Sequence, residues 1–213
     1  MRADTVVIVK AKTRDELQAE TRELIFAAAE TVFLDRGYNA TTVAQIAAEA
    51  GRTHGSIYGN FAGKEDLCRQ LVLKHFGEVM TALARDVSAA ADDDAKQTAI
   101  QRHWDKVLDR PEWIRLTSDF VLATRETSIA SNKQTIDYFR GAVAALIVSE
   151  SHTSGSAALE PRELDAMVAA LFGSGIGLAI GFSLGAIDRD IATAGFLGTM
   201  ERWLRLSTDR DAQ

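Results

Sequence analysis

The chain holds only two prolines, Pro111 and Pro161, in 213 residues. Proline lacks a backbone donor and clashes with the preceding helical turn, so long helices exclude it from their interior. Alanine and leucine, which lose little entropy in a helix, are plentiful between these prolines. We therefore predict an all-α fold of about nine helices, two of which begin at the prolines.

The helix boundaries follow from capping signals and apolar periodicity. Thr13 and Glu16 have capping-box spacing, and so do Thr42 and Gln45. Gly37 is placed to end the first helix. We expect helices at about residues 13–36, 42–50, 53–61, 63–87, 95–108, 111–126, 132–148, 161–184 and 191–206, with a Ser- and Gly-rich loop at about 151–158.

The segment Thr42–Phe61 has the spacing of a helix-turn-helix, in which two short helices are joined by a tight turn. Ala47 permits close helix contact, and Gly51, four residues later, can adopt left-handed geometry in the turn. Ile57 and Phe61 are one helical turn apart and anchor the second helix inward. The remaining positions of the second helix then form a small polar face, which predicts insertion into a DNA major groove: His54, Gly55, Ser56, Tyr58, Gly59 and Asn60.

The stretch TRELIFAAAETVFLDRGYNATTVAQIAAEAGRTHGSIYGNFAGKEDL, Thr21–Leu67, resembles the TetR family of repressors over its whole DNA-binding domain. The shared features are an amphipathic helix ending in Phe and Arg-Gly-Tyr, paired threonines, I-A-x-x-A-G, G-x-(aliphatic)-Tyr-x-x-Phe and Lys-Glu-x-Leu. The resemblance implies a dimeric repressor that a small-molecule effector releases from a palindromic double-stranded operator. It divides the chain into a flexible arm (1–12), a three-helix DNA-binding domain (13–64) and a helical ligand-binding and dimerisation domain (65–213).

The resemblance also implies DNA-contacting residues. Phosphate contacts are expected from Thr41 or Thr42, from Tyr58 and from Lys64, the last at a helix N-terminus. We expect the N-terminal end of the second helix to contact base edges. The full predicted set is Thr41, Thr42, Arg52, Thr53, His54, Gly55, Ser56, Tyr58, Asn60 and Lys64. Arg52 and Asn60 depart from the family pattern, which usually has an apolar residue and a histidine there.

The charge distribution is compatible with DNA at one end of the molecule. The net charge is −6, but residues 1–64 hold eight Lys/Arg and eight Asp/Glu, so residues 65–213 carry all of it. The segment Arg36–Lys64 contains three positive residues and one negative residue. The predicted DNA-binding end is thus the less acidic one.

The C-terminal half offers candidates for a dimer interface. Glycines recur every four residues late in the chain, which predicts a ridge that another helix can approach closely. The last helix carries an apolar stripe. The predicted interface is Gly173, Gly177, Gly181, Gly185, Phe196, Met200, Trp203 and Leu204. Packing inside one subunit is the alternative for the glycine ridge.

Large apolar groups with a few polar ones predict a small-molecule cavity in the same half. The candidates are His103, Trp104, Trp113, Thr117, Phe120, Met167 and Phe172. The alternative for each of them is an ordinary place in the core.

Other function classes find little support. The four histidines are scattered, no metal or catalytic motif occurs, and the single Cys68 is more typical of a buried apolar residue, so we expect no enzyme, metal or cofactor. Met167–Ile187 is uncharged, but its five glycines and the flanking Asp165 and Asp188 disfavour a membrane span. We expect a cytoplasmic protein. The remaining alternative to a DNA-binding function is a helical scaffold.

Overall fold

The computed structural model describes residues 13–126, 128–154 and 160–208. The predicted N-terminal arm, residues 1–12, lies outside the described residues. All regular structure in these described ranges is helical, which confirms the predicted all-α fold. The helices are α1 (Arg14–Ala40), α2 (Val43–Glu49), α3 (His54–Tyr58), α4 (Lys64–Ser88), α5 (Asp93–Leu108), α6 (Pro111–Thr124), α7 (Ile129–Ser154), α8 (Pro161–Ser183) and α9 (Arg189–Thr208).

The predicted capping signals set the helix ends. Both capping boxes are formed, at Thr13 and at Thr42. Gly37 breaks the helical path inside α1 with φ 76° and ψ 171°, and Gly51 adopts φ 59° in the turn after α2. Positive φ is strained for residues with a Cβ, so both turns favour glycine. The prediction was wrong at the end of α7, which extends to Ser154 into the expected loop.

One apolar core runs through both halves of the chain. Its buried members come from α1 to α4 and also from α6 and α7, where Trp113, Leu116, Phe120 and Phe139 join it. The core is continuous because α6 packs along α1 while α4 contacts α1, α5, α6 and α7. The helix-turn-helix therefore rests on the rest of the fold through a shared interior.

A second, smaller core lies between α5, α8 and α9. Trp104 and Leu108 of α5 are buried there against Ala179 and Ala192. The ring of Trp104 stacks on Phe196 with centroids 4.3 Å apart. This cluster fixes the pairing of the last two helices.

Candidate nucleic-acid interface

Helix α3 is short and held from one side. The Thr53 hydroxyl accepts a hydrogen bond from the Ser56 backbone N–H at 3.2 Å, which caps the helix start. Ile57 and Phe61 are buried, and the Phe61 ring meets Phe26 of α1 edge-on at 5.1 Å. The opposite side of α3 is therefore free to meet another molecule.

That free side carries most of the predicted contact residues. Tyr58 has 59% of its surface accessible. The exposed members of the predicted set are Thr42, Arg52, Thr53, His54, Gly55 and Tyr58, and Ser56 is half-buried. We call this group the α3 surface; it contains no acidic side chain, which suits a polyanion.

Thr41 does not belong to this surface. Only 1% of the residue is exposed, and its hydroxyl donates to the Gly37 carbonyl at 2.7 Å. This hydrogen bond stabilises the turn at Gly37, so the Thr41 hydroxyl is used within the protein. Of the two threonines predicted to contact phosphate, only Thr42 is exposed, and its hydroxyl caps α2.

Lys64 is used inside the domain. Its ammonium donates to the backbone carbonyls of Tyr38 and Thr41, both at 3.0 Å, and lies 4.4 Å from the centroid of the Tyr38 ring. These contacts tie the start of α4 to the turn before α2. An ammonium has three donors, so one remains for the phosphate contact predicted for Lys64.

Asn60 faces inward, contrary to the prediction of a DNA contact. Its amide N–H donates to the Ser56 carbonyl at 2.7 Å, and its Oδ1 is buried with no hydrogen-bond partner within the described part of the chain. Its backbone carbonyl accepts from Arg22 of α1 at 2.9 Å. No role was predicted for Arg22 from the sequence, in which its only distinguishing feature is its position four residues before Phe26.

Two of the contacts between the N-terminal helices and the C-terminal half lie on either side of the segment that holds α2 and α3. The Ser128 hydroxyl, beyond α6, donates to the Glu65 carboxylate at the start of α4, and Glu65 also pairs with Arg69. The ring of Phe120 in α6 meets Tyr38 edge-on at 5.2 Å. We call Thr42–Phe61 the α2–α3 unit. A shift of α6 would therefore move residues next to both ends of this unit.

The sequence profile of bacterial regulatory proteins, tetR family, matches residues 25–71. This match covers the second half of α1, the α2–α3 unit and the start of α4. This part of the chain is therefore similar to the tetR family. The predicted resemblance is thereby confirmed, and the family is one of regulators rather than enzymes.

Named relatives match over the same end of the chain. The HTH-type transcriptional repressor BepR of Brucella suis is 50% identical over 54 residues, which are 25% of this chain and 26% of BepR. The HTH-type transcriptional regulator TtgR of Pseudomonas putida is 45% identical over 74 residues, 35% and 34% of the two chains. The chain thus matches a quarter to a third of the length of these relatives.

Solved structures extend the likeness to the whole fold. A tetR-family transcriptional regulator from Streptomyces coelicolor superposes with a TM-score of 0.70 at 16% identity, covering 91% of this chain and 86% of its own. A transcriptional regulator from Pseudomonas aeruginosa PAO1 gives 0.66 at 20% identity, covering 88% and 89%. At these identities the likeness shows the fold alone.

The predicted ligand residues do not all belong to one core cluster. Trp113 and Phe120 lie in the large core with Phe172 packed against it, whereas Trp104 belongs to the small core. His103 is buried and its Nε2 lies 2.9 Å from the Asp86 carboxylate. Met167 is buried and Thr117 half-buried. The ligand site therefore stays a prediction.

His75 of α4 was missed from the sequence and lies flat on Trp113, with centroids 3.8 Å apart and planes 1° apart. The pKa of His75 is lowered to about 4, mainly by burial and also by the nearby Arg110, while Glu112 opposes the change. The ring is therefore neutral in the folded protein at neutral pH.

We expect this histidine to make stability pH-dependent. The unfolded chain takes up the His75 proton near the ordinary histidine pKa of 6.5 and the folded chain only near 4. The contribution is thus complete above about pH 6.5 and is lost as pH falls toward 4. In thermal unfolding at about pH 7.5 and about pH 5, His75→Phe should lose less stability than wild type. Equal losses in both proteins would contradict this.

The glycine ridge is shorter than predicted. Gly173 and Gly177 face open space, with no described atom within 4 Å of a Cβ placed there. Gly181 is covered by Ile187 at 3.4 Å, and Gly185 follows the end of α8 with φ 70°, in a turn. The four glycines therefore do not form one exposed ridge, because the helix ends before the fourth.

The predicted α9 stripe also turns inward where the side chains are described. Phe196 stacks on Trp104, and Met200 is buried within the protomer. The side chains of Trp203 and Leu204 lie outside the described residues.

Several exposed residues of α8, α9 and the turn between them are nevertheless apolar. Ile176, Leu184 and Ile191 are 44%, 73% and 54% exposed. We call the following group the α8/α9 surface: Gly173, Ile176, Gly177, Leu184, Ile191, Ala194 and Gly198. By length and composition α8 alone, among the described helices, also meets the requirements for crossing a membrane.

Proposed function

We propose that this protein is a sequence-specific transcription repressor that binds double-stranded DNA through the α3 surface. The observation that carries the proposal is the arrangement of α3, whose apolar residues Ile57 and Phe61 are buried while Thr53, His54 and Tyr58 stay exposed. A capped helix N-terminus with small side chains suits close approach to a major groove. The similarity of residues 25–71 to the tetR family supports it. Residues 13–64 are the proposed DNA-binding domain and 65–213 the regulatory one.

The repressor acts as a homodimer. One α3 surface offers few contacts, and two on a palindrome a helical turn apart raise affinity through simultaneous binding. The α8/α9 surface supports this assembly, because exposed isoleucine and leucine beside bare glycine backbone favour close helix contact. The same surface accounts for the apolar character of α8 without a membrane, in keeping with the cytoplasmic location proposed for a DNA-binding protein.

A small-molecule effector is proposed to bind in the C-terminal half. The indole N–H groups of Trp104 and Trp113 are buried and have no hydrogen-bond partner among the described residues, so either one can donate to an effector. Effector binding lowers DNA affinity only as far as it prefers one of two dimer states. The Glu65–Ser128 and Tyr38–Phe120 contacts are the proposed links between the two halves.

Selection from a random pool of duplex DNA tests the repressor proposal. The expected result is one palindromic sequence, bound with steep salt dependence because phosphate contacts release counterions. A pool that yields no preferred sequence would contradict it and favour the alternative of a helical scaffold. The selected fragment then serves in a screen for compounds that release it.

Tyr58→Phe removes an exposed hydroxyl from the α3 surface. We expect binding to all DNA sequences to weaken by about tenfold, since a hydrogen bond to a charged phosphate is lost. The folded state should keep its stability because Tyr58 is 59% exposed. Titration of the selected fragment and of a scrambled one measures this. A loss confined to the selected fragment would indicate a base contact instead.

A further inference from the structure

Arg22 joins three helices behind the α3 surface. One guanidinium nitrogen donates to the Asn60 carbonyl at 2.9 Å, just beyond the end of α3, and the other donates to the Gln70 side chain of α4. The guanidinium carbon lies 4.4 Å from the centroid of the Phe61 ring and 5.1 Å from that of Phe26. The charged group is thus enclosed by two rings, a carbonyl and an amide.

Helix α3 needs such support. It has five residues, and Gly55 within it and Gly59 at its C-cap both disfavour helix formation. Isolated helices of this length are unstable, so tertiary contacts must hold its orientation. Ile57 and Phe61 supply apolar contacts, which leave rotation about the helix axis weakly defined. A directional, charge-assisted bond to the carbonyl end constrains it further.

We propose that Arg22 is a positioning residue that fixes the C-terminal end of α3 and thereby the angle at which the α3 surface meets DNA. The proposal rests on the proposed DNA-binding function. Arg22 acts through Asn60 and Phe61 rather than by touching phosphate, because its described donors are directed to protein acceptors. The inward-facing Asn60 belongs to the same arrangement, since its amide holds the Ser56 carbonyl.

Three variants separate positioning from charge. Arg22→Met keeps the length and the contact with both rings but removes the donors and the charge. Arg22→Lys keeps the charge over the rings but lacks the fork that reaches two acceptors at once. Lys74→Met is the matched control, because the Lys74 ammonium also lies over Phe26, at 5.2 Å, and pairs with Glu23 without a described contact to α3.

Hydrogen exchange tests the support of α3 without DNA. The amides of Gly59, Asn60 and Phe61 donate to Gly55 and Ile57 carbonyls at 2.9 to 3.0 Å and report on the helix end. In Arg22→Met they should exchange about tenfold faster than in wild type, with Arg22→Lys between the two and the amides of α8 unchanged. Lys74→Met should match wild type. Exchange in Arg22→Met equal to that in Lys74→Met would overturn the proposal.

DNA titration tests the consequence for recognition. On the fragment that wild type selects, Arg22→Met should lose about tenfold of its preference over scrambled DNA, while the slope of log affinity against log salt stays unchanged. A slope reduced by about one would mean that Arg22 contacts phosphate, which overturns the positioning role. If wild type selects no DNA, the proposed function fails, and the exchange result still decides whether Arg22 holds α3.

Discussion

Replacing Gly177 by leucine is expected to convert the protein to a monomer and to lower its affinity for the selected DNA by about a hundredfold or more. Gly177 is exposed on the α8/α9 surface, where a leucine side chain would keep two α8 helices apart. The protomer itself should fold normally. No described atom lies within 4 Å of a Cβ at this position, and leucine is the better helix former.

Gly141→Leu on α7 provides the control. Gly141 is also an exposed helical glycine with no described atom within 4 Å of its Cβ, but it lies outside the α8/α9 surface. This variant should remain a dimer and bind DNA as wild type does. Sedimentation equilibrium at micromolar concentration gives the masses. A Gly177→Leu protein that keeps the dimer mass would exclude this surface as the interface.

Phe120→Ala is expected to lower the free energy of unfolding by about 3–5 kcal/mol, the usual cost of deleting a fully buried aromatic ring. Phe120 is 0% exposed and contacts Tyr38, so the cavity would open where α6 meets the N-terminal helices. Because the core is continuous there, the whole chain should unfold in one lower transition. Urea unfolding followed by circular dichroism and tryptophan fluorescence, at one fixed protein concentration, measures this.

Leu122→Ala is the comparison for this core substitution. Leu122 is two residues further along α6 and 59% exposed, so its truncation should change the free energy of unfolding by no more than about 0.5 kcal/mol. The two variants remove apolar side chains from the same helix and differ in burial. Two separate transitions in Phe120→Ala, of which only one moves, would show that the halves unfold independently.

The α2–α3 unit shows how far local sequence signals reach. The caps at Thr42 and Thr53 and the left-handed Gly51 follow from contacts within about four residues, and the four-residue spacing of Ile57 and Phe61 places both on one helix face. Such contacts depend directly on the spacing of the residues in the sequence. The helix-turn-helix, and with it the tetR resemblance, could therefore be predicted before any fold was known.

Side-chain direction at the same site could not be predicted in this way. Thr41 and Thr42 are neighbours of one type, yet only Thr42 reaches the surface. Lys64 turns toward carbonyls of the α1–α2 connection, and Arg22 reaches an acceptor 38 positions later in the chain. These partners are brought together by the packing of α1 against α4, which no local pattern records.

The C-terminal half repeats the distinction. Its uncharged, glycine-rich stretch by itself determined an apolar helix beginning at Pro161, because helix formation and its start depend on local propensity. Which glycines face outward was decided by tertiary structure: Gly173 and Gly177 stay open, Gly181 is covered by Ile187, and Gly185 lies in the turn. Likewise Phe196 and Met200 face their own protomer. The sequence thus determined most of the helices and the resemblance to the tetR family, whereas long-range packing decided which residues remain exposed.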